Sequence, residues 1–354
     1  MSDYATASSA LMDALRKAQM GDVTGAEQTV QFVRATWIVA DSPELMVDLM
    51  IVEGICGFYS DRVDYAKDRI ARALAVAKVS RRSECIYAAS AWLAYLKLVD
   101  GDMRLAADVV IAGCSSRPPN VSPLAEFRCS SILAVLFEYF GASTVAAGWF
   151  AYTRAVALET NLPGTFSSVI YNMAVARINA SQLAKIRSEK FEDKIELNLL
   201  LAKSASNYDD IRNIHVLDPL HYLIQAQALY LCGQVSLAIE TVTKFLTKSS
   251  GVLDRFKIRG ELDLLRYQIS GQICPNINNI RRLQVLSSIF QSDADQAIAK
   301  HVLAEGFSIL GENAVASQLR FEVDCHLHLH QDMCKSILSD FEGAGLFFFP
   351  NIDK

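Results

Sequence analysis

The chain has 354 residues, of which 51% are hydrophobic and 21% charged, with a formal net charge of −5. That composition carries enough apolar surface for two or three ordinary domains or for one extended array. Its acidic balance excludes a general nucleic-acid binder, which needs a basic stripe to displace counterions from phosphate.

The N-terminal run MSDYATASSALMDAL lacks the basic-then-apolar order of a secretory signal. The longest stretch free of Asp, Glu, Lys and Arg, 219–239, contains His221, Gln225, Gln227, Gln234 and Ser236 and is too polar to face lipid. A cytoplasmic protein without a membrane span is therefore expected. None of the eight cysteines forms a CxxC pair, and most sit among apolar residues, as buried free thiols do.

From the N-terminus onward the chain repeats itself. The turn residues Gly21, Asp61, Gly101 and Gly141 each follow the last by 40. Five residues after each stands an alanine: Ala26, Ala66, Ala106 and Ala146. Seven before each stands another small residue: Ala14, Gly54, Ala94 and Ala134. Four beyond each alanine a large apolar residue follows: Val30, Ile70, Val110 and Phe150. The register returns with Ala226, Gly233, Ala238 and Val242. Two antiparallel helices approach closely only where a side chain on each is small. The Gly or Asp between them supplies the turn, and the large residue fills the space one turn on. A unit of this kind buries its apolar face only by stacking on neighbours.

Helix signals agree with this reading. Ser42-Pro43-Glu44 is a cap, a proline at the first helical position and an acid in the first turn, and Ser122-Pro123 and Asp218-Pro219 repeat the cap-proline device. No window alternates as a strand does. Between Gly141 and Gly233 there is room for one divergent unit with helices near 166–181 and 189–205. The polar segment SASNYDDIRNIHVLD, 204–218, reads as a connection or hinge. After 250 the register is lost, with helices near 251–271, 277–291, 293–310, 312–331 and 332–342 and a candidate turn at Ser292 and Ala297. The chain thus divides into an array over 1–249, helices over 250–342 that continue or cap it, and an apolar tail over 343–354. The tail reads as a cap on the last helix pair or as a hook into a partner or a twin subunit.

The small-residue spacing over 7–160 and 219–249 resembles the tetratricopeptide repeat (TPR), in a long-unit form. The resemblance implies an all-α fold, a right-handed α-solenoid of antiparallel helix pairs. This sequence departs from the family where Asp13, Glu53 and Gln225 hold a position that is usually large and apolar. Carried over residue by residue, the resemblance places Leu11, Leu15, Ile51, Ile55, Phe58, Tyr95, Leu98, Val135, Leu223 and Tyr230 on a concave, partner-binding surface. The basic and amide residues with which some members clamp a carboxylate are absent at matching positions. An apolar groove suits an amphipathic or apolar helix; the same residues would equally serve as packing between helices.

Other constellations read as structural. On a helix, His326 and His330 stand one above the other, as ligands of one metal would. Cys334, however, lies about 12 Å from His326 along the axis, and no acid is tied to the pair. Arg81-Arg82 and Arg281-Arg282 read as solvated faces, and Trp37, Trp92 and Trp149 as packing. No nucleophile elbow, P-loop, dinucleotide fingerprint or zinc-protease motif is present. The expectation is a non-enzymatic protein without metal or cofactor. Its function is that of an interaction scaffold or regulatory adaptor for a protein or peptide, or of a receptor whose superhelix encloses a small signal peptide or effector.

Overall fold

The computed structural model describes residues 2–37, 42–189 and 195–348. Every regular element among them is helical. Sixteen α-helices form eight antiparallel pairs: α1 (Ser2–Met20) with α2 (Val23–Thr36), α3 (Pro43–Tyr59) with α4 (Val63–Val79), α5 (Ser83–Asp100) with α6 (Met103–Cys114), and α7 (Pro123–Tyr139) with α8 (Ser143–Glu159). They continue as α9 (Pro163–Ile186) with α10 (Ile195–Arg212), α11 (Asp218–Leu231) with α12 (Val235–Lys248), α13 (Asp254–Ser270) with α14 (Ile277–Leu286), and α15 (Asp293–Ile309) with α16 (Asn313–Gly343). Each odd-numbered helix packs on the next odd-numbered one, so these helices make one continuous inner layer. The even-numbered helices lie outside it and bridge to the following pair. The result is an all-α solenoid.

The small residues are where the helices touch. Ala14, Ala94 and Ala134 on the first helices and Ala26, Ala66, Ala106 and Ala146 on the second are all 0% exposed. A methyl added at Gly54 would stand 2.6 Å from Cγ1 of Ile70. The turns take left-handed backbone, φ +80° at Gly141 and +61° at Asp61. Ser42 and Ser122 cap α3 and α7, their hydroxyls accepting from the backbone N–H groups of Leu45 (3.2 Å) and Ala125 (3.4 Å). Asp218 begins α11 without capping it and instead pairs with Nδ1 of His215 at 3.1 Å. The acids at the departing positions are explained by ion pairs: buried Glu53 meets Arg34 of α2 and Arg69 of α4 (3.2 Å), and Asp13 meets Arg16 and Lys17.

The later chain differs from the sequence reading in three places. The segment 204–212 is the second half of α10 rather than a connection, so the link to α11 is only 213–217. Its Ala, Ser, Asn and Asp residues tolerate a helix, and its few apolar side chains still include the buried Ala205. The register also survives past 250. Gly311 turns at φ +80°, with Ala304 seven residues before it and Ala316 five after, both buried. Ser292 is not a turn inside a unit but the cap of α15, its hydroxyl accepting from the N–H of Asp295 at 3.0 Å. Finally, α16 runs unbroken over 31 residues where two helices were expected.

The solenoid winds back on itself. Gln19 of α1 faces Gly164 of α9, and the α10–α11 link lies against the α1–α2 turn, with Val216 N 3.6 Å from where a Cβ of Gly21 would stand. Helix α16 crosses to the middle of the array, where Arg104 of α6 pairs with Asp340 at 2.6 Å. Beyond it Leu346 and Phe347 settle on the fourth pair, not on the last one. Trp149 Nε1 donates to the carbonyl of Leu346 at 3.0 Å, and the Phe137 ring packs edge-on to Phe341 (5.0 Å) and Phe347 (5.2 Å). Phe349 and the residues after it lie outside the described residues.

The inter-helix contacts generate a direct test. Ala94→Leu and Gly54→Ala are each expected to lower stability by about 1–3 kcal/mol, because each forces two backbones apart. Chemical denaturation measures the loss. An unchanged midpoint in both variants would mean that the repeat register does not mark the closest approach of the helices.

Candidate functional site

Winding leaves a cavity of about 400 Å³ at the centre of the superhelix. Its walls are the C-terminal ends of α3, α5 and α7 and the first half of α9. Two connections with the helix starts that follow them line the other side, 214–220 at the entry to α11 and 250–256 at the entry to α13. The repeat supplies the walls in register. Gln19, Tyr59, Val99 and Tyr139 stand two residues before successive turn residues, and all four face the cavity; Tyr171 of α9 joins them. Burial raises the pKa of all four tyrosines, Tyr59, Tyr95, Tyr139 (to about 12) and Tyr171, so their hydroxyls are neutral donors at ordinary pH. Tyr139 accepts a hydrogen bond from Asn179 Nδ2 at 2.6 Å. The hydroxyls of Tyr59, Tyr95 and Tyr171 have no hydrogen-bonding protein partner among the described residues.

A second chamber of similar volume lies on the same inner faces, one helical turn or two toward the other end. Along α5 Ala88 and Trp92 line this chamber, whereas Tyr95 and Val99 line the central one; along α7 Leu124 lines the second and Val135 the central. The second chamber is acidic, with Asp48, Glu84 and Glu159 and no Lys or Arg. Burial and the charges of Glu84 and Glu44 push Asp48 up to about 6, although the Tyr4 hydroxyl 3.4 Å away opposes the rise.

Arg128 stands on the α7 strip that runs from Leu124 to Val135 but lines neither chamber. It is 2% exposed. Its guanidinium carbon lies 4.0 Å from the Trp92 ring centre, 4.5 Å from that of Tyr95 and 5.2 Å from that of Phe127. Among the described residues no carboxylate reaches it, and its Nε makes no hydrogen bond. Several other buried charges have a neighbour of opposite sign. Arg259 meets Asp295 (3.1 Å) and Asp263 (3.5 Å), and buried Glu126 meets Arg117 (3.1 Å). Arg266, with two unbonded nitrogens, still has Glu305 close enough for its charge to lower that acid's pKa. Desolvated cation–π contacts contribute about 2 kcal/mol. Burying an ion costs several kcal/mol, so aromatic faces alone leave a deficit at Arg128.

Of the residues expected on the concave surface, Phe58, Tyr95, Leu98 and Val135 meet at the central cavity, and Leu11, Leu15 and Ile51 line the second chamber. Ile55 and Leu223 line neither; both are packed between helices. Tyr230 is also away from the cavities, stacked on Tyr267 at 4.6 Å with the Arg266 guanidinium 4.8 Å from its ring centre. Sequence reasoning missed Tyr59, Tyr139, Tyr171 and Arg128. The first two share one repeat position, two units apart with Val99 between them, which is a weak signal; the others carry no repeat signal. His326 is held by Asp293 at 2.8 Å, and buried His330 lies 3.5 Å from Cys334 Sγ.

No family profile matches the sequence, and no curated protein is similar to it. Among solved structures the chain is similar to the Rap conjugation gene regulator of the plasmid pLS20, determined in complex with the Phr* peptide. The TM-score is 0.55 and the identity 10%, over 93% of this chain and 96% of the other. The TPR domain of P58(IPK) aligns with 13% identity over 95% of this chain and 99% of its own, at a TM-score of 0.26. The first of these likenesses shows that the chain shares the all-α superhelical fold of the Rap regulator. No helix among the described residues is long and apolar enough to cross a membrane.

The acid of the second chamber has a measurable signature. In the folded state Asp48 holds its proton up to about pH 6, whereas an unfolded aspartate loses it near 3.9. The folded chain thus binds more protons between those values, and stability falls as pH rises through that window. Asp48→Asn is expected to raise stability at pH 7.5 by on the order of 2 kcal/mol and to change it little at pH 3.5. Equal effects at both pH values would show that Asp48 is ordinarily solvated.

Proposed function

We propose that this chain is a receptor whose superhelix takes up a small effector, a short peptide foremost, in the central cavity and reports it to a protein partner through its curvature. The observation that carries this reading is the cavity itself. It is a partly open hollow lined by four inner helices, the α1–α2 turn and two connections, and it offers neutral phenol hydroxyls together with Gln19, Ser167, Asn172 and Arg255 among apolar side chains. Its volume falls in the range of about 300–1,000 Å³ typical of small-ligand sites. An open trough for an amphipathic helix is less well supported, because Leu11, Leu15, Ile55 and Leu223 are already buried. The solved neighbour of the same fold was determined with a peptide bound, which supports the class of ligand. Because the cavity wall joins α3 to α9 and the facing links belong to α10–α13, a ligand bridging them would bias the pitch of the winding.

Leu98 lines the cavity and is only partly buried, so Leu98→Trp should fill the space while leaving the fold intact. The protein, incubated with the peptide and small-molecule fraction of cells and examined by native mass spectrometry, should retain an adduct below about 1 kDa. Leu98→Trp should lose it at least tenfold, which is about 1.4 kcal/mol. Protein partners captured equally by both forms, with no small adduct on either, would favour the open scaffold instead.

A further inference from the structure

The lining of the central cavity holds three side chains that can carry charge: Asp61, His215 and Arg255. His215 already pairs with Asp218 at 3.1 Å. Asp61 and Arg255 make no ion pair with any described residue, and they do not reach each other. Their separation follows from the repeat. Asp61 and Gly101 hold the same position in consecutive units, and α3 packs on α5. Arg255 lies against the Gly101 turn, its Nη1 3.9 Å from where a Cβ of that glycine would stand. Packed helix axes are about 8–10 Å apart, so the acid and the base face the cavity across about one such step. We propose that the central cavity takes a short apolar peptide with both termini free, its ammonium at Asp61 and its carboxylate at Arg255.

The rest of the lining fits the body of such a ligand. Phe58, Leu98 and Val135 with the tyrosine rings form an uncharged, apolar wall, which suits apolar side chains. Gln19 and Ser167 also line the cavity, at 3% and 1% exposure. Neither the Gln19 amide nor the Ser167 hydroxyl has a hydrogen-bond partner in the protein. A peptide bond brings both an N–H and a C=O to such groups, which an acyl chain cannot. An extended chain covers up to about 3.6 Å per residue, so about three residues span the step between the charges. A monocarboxylate would leave Asp61 unanswered, and a simple amine would leave Arg255 so. The two charges also set the direction of the chain, N-terminus toward the α3–α4 turn and C-terminus toward the start of α13. This inference rests on the receptor reading and names both ends of the ligand that reading leaves open.

The probe is an equimolar mixture of the tripeptides built from Ala, Val, Leu and Phe. It is prepared with both termini free, N-acetylated, C-amidated, or blocked at both, and offered to the full chain at low salt. Peptide retained by the protein is measured by native mass spectrometry. The free form should bind the parent at least tenfold tighter than the doubly blocked form, each single block costing at least threefold. Arg255→Met should lose the response to amidation and keep the response to acetylation; Asp61→Asn should do the reverse. Asparagine tolerates the left-handed backbone at this turn, φ +61°, and neither residue takes part in an ion pair of the fold, so both variants should melt as the parent does. Free and doubly blocked forms binding within threefold of each other would overturn the assignment and leave the receptor reading standing. Responses to blocking that persist unchanged in both variants would overturn it likewise. Failure of every form to bind would overturn it too, and the small adduct retained from cells then judges the receptor reading separately. Should a variant fail to fold, the parent at about 1 M salt replaces it: with a Debye length of roughly 3 Å the preference for free termini should collapse, and its persistence would overturn the assignment.

Discussion

The close approach of two antiparallel helices at a pair of small residues is the contact on which the whole architecture depends. Where Gly54 faces Ile70 the helices come near enough that a single added methyl would collide, and Ala94 and Ala106 are wholly buried at the corresponding places of the next pair. That contact recurs every 40 residues through the first four pairs, and each of those pairs stacks on the next through its first helix. A constant rotation per unit makes a superhelix rather than a heap of helices. The central cavity is a consequence of that rotation, since the inner helices splay at their C-terminal ends and the winding brings later connections across the gap.

Sequence made the register legible because glycine and alanine are singular at their positions: no other residue fits. The same register placed Phe58, Tyr95, Leu98 and Val135 on the face that became the cavity wall. It was silent where identity is free. Gln19, Tyr59, Val99 and Tyr139 occupy one repeat position with an amide, two phenols and an aliphatic side chain, so the pattern there is weak until the geometry is known. Arg128 was invisible for a different reason. A lone arginine in a helix reads as solvent-facing, and only tertiary packing on three sides removes it from water. Glu53 misled in the same way, its apparent clash with the family pattern being answered by arginines on two neighbouring helices.

The inner layer mixes two kinds of burial with opposite energetic signs. Apolar contacts such as Phe137 on Phe341 favour the folded state in proportion to the area they hide. The buried guanidinium of Arg128 opposes it, because its Nε is taken from water without a protein partner in return.

The docking of Leu346 onto Trp149 spans 197 residues of chain. At a synthesis rate of roughly 5–20 residues per second, that separation amounts to about 10–40 s. During this interval the fourth pair is already outside the ribosome with its aromatic flank bare. The middle of the array is thus the last part to be sealed, though it is neither first nor last to be made. A nascent chain thus carries the Phe137 and Trp149 flank uncovered for that interval, and it is there that a chaperone would find a client.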